Sequence, residues 1–130
     1  MCQLNNELHN TGDKEMTVYK LLEGVPGGGQ WRCPYIPCLL IEGKQYDAGK
    51  RDIHYTKHRR LVGKGFYHCF ETFEEAKRYK ETSFIGSLCW IVKCTVPKNT
   101  AYYKGECSVH KEEQFTTLAV RSIIVNEKVV

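Results

Sequence analysis

No apolar run in this sequence approaches the roughly 18 residues that a membrane-spanning helix needs. The run around Cys38 to Ile41 has only four residues. Internal repeats, low-complexity tracts and interdomain linkers are missing as well. A composition of 42% hydrophobic, 26% charged and 12% aromatic residues excludes disordered and collagen-like classes and leaves 130 residues for one domain. The first residues, Met1-Cys2-Gln3-Leu4-Asn5-Asn6-Glu7, carry neither a positive leader nor an apolar segment. A cytoplasmic protein is therefore expected, with no membrane partner. In a reducing compartment the odd set of Cys2, Cys33, Cys38, Cys69, Cys89, Cys94 and Cys107 is expected as free thiols rather than a disulfide framework. Residues 1–15 have no periodic pattern and are expected as a flexible polar leader, with a single domain over 16–130.

Strong catalytic signatures are lacking too. Gly27-Gly28-Gly29 is followed neither by Lys-Ser/Thr nor by a helical pattern, so it reads as a turn and not as a phosphate-binding loop. His68 and Cys69 are sequence neighbours, but neighbours in a strand point to opposite faces and cannot pair. Glu74 and Glu75 are explained by a helix start, and Glu112-Glu113 sits in a polar stretch. No catalytic residue and no cofactor are expected. Cys33-x4-Cys38, then fifteen residues, then His54-x3-His58 comes near the spacing of a zinc finger. Glu42 and Arg51 stand near the positions where a finger places its small apolar core. Two strand cysteines and two loop histidines are the expected reading, with Cys33, Cys38, His54 and His58 as the alternative metal set.

Several segments carry strand or helix patterns. Thr17–Leu22 is rich in β-formers and ends at the glycine turn, and Ile36–Ile41 is a second strand that Pro34 and Pro37 confine to an edge or exclude at its start. Gly65–Phe70 alternates Phe66, His68 and Phe70 against Tyr67 and Cys69. Thr72 followed by Glu75 is a capping box, with acidic residues near the start and Lys77, Arg78 and Lys80 toward the end, which predicts a helix over 73–81. So short a helix needs a sheet to rest on, through Phe73, Ala76 and Tyr79 or Lys80. Leu88–Val96 places Leu88, Trp90, Val92, Cys94 and Val96 on one face. Ala101–Tyr103 is a short extension, 106–114 is polar, and Leu118–Val125 is a final strand. One short helix on a mostly antiparallel, twisted sheet of five or six strands makes an α+β domain. Edge pairing through 36–41 or 118–125 would permit a homodimer.

Charge is the uneven feature. Between residues 44 and 64 stand Lys44, Lys50, Arg51, Lys57, Arg59, Arg60 and Lys64 against Asp47 and Asp52, a net of +5 in a chain whose total is +4. The remainder therefore carries about −1 in all, and the positive field belongs to one stretch that also holds Tyr46, His54, Tyr55 and His58. Such a stretch either keeps a protein soluble as a solvated loop or attracts an acidic partner: a protein surface, a nucleic acid or a nucleotide-like ligand. Its interleaved tyrosines suit stacking on bases. The partner-binding set expected is Lys44, Lys50, Arg51, Tyr55, Lys57, Arg59, Arg60 and Lys64.

From Gly65 onward, the run GFYHCFETFEEAKRY, the strand IVKCTVPKNTAYYKGE and the strand AVRSIIVNEKVV resemble the C-terminal half of small ADP-ribosyltransferase-like domains. Those carry a glycine-led aromatic strand, a helix with a Ser/Thr cap, a strand ending in Pro-Lys-Gly-Thr, and a last strand with a catalytic glutamate. The resemblance implies a nucleotide pocket at Lys20, Tyr67 and His68, with Tyr67 matching the family's aromatic. Lys20 stands where that family has Arg or His, and Arg121-Ser122 where it has the glutamate, so transferase activity is not what these residues imply. The same segment also resembles small uncharacterised phage and prophage proteins of gut bacteria, which implies a mobile-element origin and a role in blocking a host component. The expectation is a non-enzymatic binding protein that engages its acidic partner through the basic stretch. The alternative is a divergent ADP-ribosyltransferase-like enzyme that handles a nucleotide.

Overall fold

The computed structural model describes residues 4–34, 39–47, 53–55, 60–62, 66–110 and 113–129. Their strands are β1 (Leu4–Asn10), β2 (Met16–Gly24), β3 (Gln30–Arg32), β4 (Leu39–Ile41), β5 (Gln45–Asp47), β6 (Ile53–Tyr55), β7 (Arg60–Val62), β8 (Tyr67–Phe70), β9 (Trp90–Val96), β10 (Ala101–His110), β11 (Glu113–Val120) and β12 (Ser122–Lys128). Helix α1 (Phe73–Thr82) and the single turn α2 (Phe84–Ser87) lie between β8 and β9. Ten strands form one sheet ordered β1-β10-β11-β8-β2-β9-β12-β5, with β3 bonded to β2 and β4 to β3, while β6 and β7 form a two-stranded sheet. All strand pairs are antiparallel. The expected α+β class holds. Five or six strands was too low a count, because three-residue strands such as β3, β5, β6 and β7 are too short to show a period. No described helix is long and apolar enough to cross a membrane.

Two polar stretches became strands for a common reason. Residues 1–15, expected as a flexible leader, contain β1, which pairs with β10 from Leu4↔Glu106 to Asn10↔Ala101. The polar stretch 106–114 is divided between β10 and β11, paired from Tyr102↔Val120 to His110↔Glu113. In both places a long neighbouring strand supplies ladder partners for the backbone, and the side chains need not alternate. The expected final strand 118–125 is two strands separated at Arg121, whose N–H donates to Ala101 O at 3.2 Å.

That break shows how strongly the sheet bends. Two trans peptides separate the Cα atoms of Val120 and Ser122 by no more than about 7 Å. In the strand order, β8, β2 and β9 lie between β11 and β12, and four spacings of about 4.8 Å would hold them roughly 19 Å apart in a flat sheet. The sheet therefore curls until the end of β11 meets the start of β12. Along this path β2 and β8 share the single register pair Tyr19↔Phe70, whereas β2 and β9 share seven.

The curl creates two cores. On its inner face Val18, Leu22, Cys69, Val92, Cys94, Val96, Leu118, Val120, Ile123 and Val125 pack together, with Trp31, Cys33 and Leu40 brought in from the β3–β4 region. On the other face α1 lies over Leu21, Phe70, Ile91 and Phe115 through Ala76 and Tyr79. Phe70, Tyr79 and Phe115 form a three-ring cluster with centroids 5.1 to 6.2 Å apart, and each such pair adds about 0.5–1.5 kcal/mol beyond area burial. The expected seating of α1 is thus observed. Along β9, Val92, Cys94 and Val96 face the inner core as expected, but Leu88 and Trp90 are 61% and 45% exposed because they precede the covered part of the strand.

The helix start also differs from its sequence signature. Thr72 Oγ1 accepts the Glu75 N–H at 3.2 Å, which is half of a capping box. The Glu75 carboxylate does not complete the box; its Oε2 accepts the Thr116 N–H of β11 at 2.6 Å. Thr116 lies one residue beyond the last β8–β11 pair, Thr117↔Phe70. Glu75 therefore supplies an acceptor where the ladder ends.

Candidate functional site

The basic stretch 44–64 is described in three pieces, 44–47, 53–55 and 60–62. It was expected as one long connection; it contains β5, which pairs with β12, and β6–β7, which pair with each other as Ile53↔Val62, His54↔Leu61 and Tyr55↔Arg60. Strand β5 ends the strand order on one side, and β7 lies against β1, which ends it on the other. Of the expected partner-binding set, Lys50, Arg51, Lys57, Arg59 and Lys64 lie outside the described residues, and Tyr55 and Arg60 are placed by their backbones in β6 and β7. Lys44 is exposed, with its ammonium 5.3 Å from the centroid of the Tyr46 ring.

Lys20, Tyr67 and His68 come close in the fold but do not share a face. Lys20 alternates with Val18 and Leu22 along β2 and is 8% exposed on the inner face, where Tyr67 also packs against the core. His68 lies between Tyr67 and Cys69 in β8, so its ring points to the opposite face. Its backbone provides the contact: Lys20 Nζ donates to His68 O at 2.7 Å. At a seam with one register pair, this side chain takes over part of the work of a missing ladder. The expected three-residue pocket is therefore a Lys20–Tyr67 pair on the inner face, with the His68 imidazole directed away.

Burial decides the cysteine chemistry. Cys33, Cys69, Cys89 and Cys94 are buried thiols outside any disulfide. Burial pushes the Cys69 thiol up to about 12, against a small opposing effect of the Lys20 charge. Cys94 is raised further, first by burial and then by its neighbour Cys69, and Cys89 is raised by burial and by Glu23. A thiol must ionise to attack or to bind metal, so Cys69, Cys89 and Cys94 act as small core residues, and Cys33 is buried in the inner core beside them. Of the alternative zinc set, Cys38 and His58 lie outside the described residues, and His54 is placed by its backbone in β6. Among the described residues no three His, Cys, Asp or Glu side chains converge on a metal site.

Dimerisation through 118–125 is not available as edge pairing, because β11 is bonded to β10 and β8, and β12 to β9 and β5. In the other expected edge, 36–41, only β4 is described, and it pairs with β3.

One contact at the base of the basic stretch has no sequence signal. Ser122 Oγ donates to Asp47 Oδ1 at 2.6 Å, joining residues 75 positions apart. With Gln45 Nε2 on the same oxygen at 3.2 Å, these donors hold the Asp47 carboxyl below the usual carboxylate range, the Ser122 bond contributing most. The chain matches no protein-family model, no curated protein and no solved structure.

Proposed function

We propose that this chain is a small non-enzymatic binding protein that engages an acidic partner through the basic stretch 44–64. The observation that carries this reading is the concentration of charge in one stretch of the chain. A net of +5 sits on residues 44–64, which include β5 at one end of the strand order and β7 against β1 at the other, while the rest of the chain sums to about −1. A positive field concentrated in one stretch draws polyanions by counterion release and electrostatic steering. The resemblance to phage proteins adds the blocking of a host component as the role of such binding.

The test uses three labelled probes: a single-stranded oligonucleotide, a polyglutamate peptide and a nucleoside triphosphate. The wild-type chain is expected to bind at least one of them with an affinity that falls steeply as salt rises. Combined Arg51→Glu, Arg59→Glu and Arg60→Glu should abolish that binding and leave the fold intact. Unchanged binding in this variant, or no salt-dependent binding by the wild type, would sink the reading.

A second reading, a divergent ADP-ribosyltransferase-like enzyme, is favoured by one observation. The glycine-led strand β8, the Thr72-capped α1 and the strand β9 leading into Pro97-Lys98 occur in the order the resemblance implies, with Lys20 and Tyr67 on a shared face. Incubation with labelled NAD tests it. Turnover lost in Tyr67→Ala supports the site, and turnover that persists removes it.

A further inference from the structure

Among the described residues Phe84 is the most exposed large apolar side chain, 82% open to water, and it stands on a helical turn that backbone packing holds in place. Gly86 lets α2 lie directly on the last turn of α1, where even a Cβ would stand 2.9 Å from Lys80 Cα. Its neighbours are apolar and exposed too. Ser87 N–H donates to Ser83 O and Cys89 N–H to Gly86 O, so the turn runs on through Leu88, four residues from Phe84 and beside it. Cys89 is buried with Leu21 and Tyr79, which leaves Leu88 and Trp90, on either side of it, on the outside. Across β12 the Val129 N–H donates to Ile91 O at 2.8 Å, and Lys128 Nζ stands 4.2 Å from the centre of the Trp90 ring. Phe84, Leu88, Trp90 and Val129 therefore lie together at one end of the sheet, where β2 and β12 finish and β9 begins.

The size of this patch bears on what covers it. At about 200 Å² for a fully exposed large side chain, the exposed fractions of the four amount to on the order of 400–500 Å² of apolar surface. Patches of that size mark contact sites. A standard interface buries about 800 Å² per partner, and in homodimers about 65% of it is apolar, or roughly 500 Å². A second copy of the same patch is enough to cover it. The charges around it favour the same partner. Glu23 and Lys80 both act on the Cys89 thiol, Arg32 lies 3.7 Å from Glu23, and Glu81 follows Lys80 on the last turn of α1. Glu127 and Lys93 are register partners and offset each other. Lys80, Arg32 and Lys128 against Glu23 and Glu81 leave the rim close to neutral. A copy of the chain can approach such a rim without repulsion, whereas a polyanion or an anionic lipid surface gains little from it.

We propose that this end of the sheet, with Phe84, Leu88, Trp90 and Val129 at its centre, is the contact face of a two-fold dimer of this chain. The contact is made by side chains and needs no free strand edge. It does not depend on the binding of an acidic partner.

Sedimentation equilibrium of the full chain should show reversible dimerisation in roughly the micromolar range, the weak end for an interface of this size. Phe84→Asp changes a side chain already in water, so the circular dichroism melt should be retained, and the dimer should weaken roughly a hundredfold because two-fold symmetry deletes the contact twice. Leu88→Asp repeats the test at a second exposed position. Leu8→Asp, the same change at a 65% exposed residue of β1, should leave the dimer as it is. Each copy carries +4, so added salt should maintain or tighten the dimer, the opposite of its effect on polyanion binding. A chain that stays monomeric throughout the micromolar range, or a dimer that survives Phe84→Asp and Leu88→Asp, or one that Leu8→Asp disrupts equally, would overturn the proposal. A monomer that binds phosphatidylglycerol vesicles and loses them on Phe84→Asp would overturn it in favour of a lipid surface.

Discussion

Replacing Gly86 by alanine sets two physical effects of opposite sign against each other. Gly86 lies in α2, and its backbone is not among the left-handed glycines, so an L side chain meets no conformational strain there. On that ground alone alanine should stabilise, by about 0.4–1 kcal/mol, through reduced freedom of the unfolded chain. The packing says otherwise. A Cβ at this position would stand 2.9 Å from Lys80 Cα, 3.2 Å from Tyr79 O and 3.3 Å from Ser83 Cβ. The first two are helix backbone, and α1 cannot retreat easily because Ala76 and Tyr79 are buried on the sheet. Tyr79 O is also held by the Ser83 N–H at 3.0 Å. Overpacking of this kind costs about 1–3 kcal/mol. Subtracting the entropic gain leaves a net loss between about 0 and 2.6 kcal/mol, about 1.3 kcal/mol at the midpoints of the two ranges. Unfolding entropy for a chain of this size is about 0.27 kcal/mol per kelvin, so at the midpoint Tm should fall by roughly 5 °C. Calorimetry or a thermal melt followed by circular dichroism measures the change. A Tm equal to or above that of the wild type would refute the seating of α2 on α1.

Four further outcomes follow from the contacts and burial in the fold. Glu75→Ala leaves the Thr116 N–H without its acceptor and should cost about 1–3 kcal/mol in urea unfolding, while Glu75→Gln, which keeps an oxygen there, should lose less; equal losses would show that the contact is unimportant. Lys20→Met should destabilise by a similar amount, about 1–3 kcal/mol, because the bond from Lys20 Nζ to His68 O at the β2–β8 seam is lost, and a Lys20→Met chain as stable as the wild type would argue against that role. The Cys69 thiol ionises near 9.0 when unfolded and only near about 12 when folded, so its contribution is complete below pH 9 and is lost as pH rises toward 12. Stability at pH 10 should be lower by about 1.4 kcal/mol on this account, and Cys69→Ala should remove that slope. Under native conditions at neutral pH, a disulfide reagent should modify Cys33, Cys69, Cys89 and Cys94 only as fast as the protein opens; rapid labelling of any of them would contradict their burial.

The sequence by itself determined the elements whose signals are local. The β-rich run at Thr17–Leu22, the alternation in Val92–Val96 and the Thr72 cap depend on residues a few positions apart, and each became the expected strand or helix. So did the separation of positive charge into 44–64, which is a property of composition alone. Tertiary structure decided what depends on distant partners. The polar residues of β1 and the β10–β11 hairpin became strands because neighbouring ladders satisfied their backbones. The one-residue step at Arg121 closed the curl that turns Lys20 inward, and the β8 pleat sent His68 to the other face. Glu75 left its own helix for Thr116, and Asp47, in sequence only a subtraction from a basic stretch, found Ser122 75 residues away. Local patterning selects backbone conformation residue by residue. Which polar groups meet is settled only when the sheet bends, because a hydrogen bond needs atoms within about 3 Å whatever their separation in the chain.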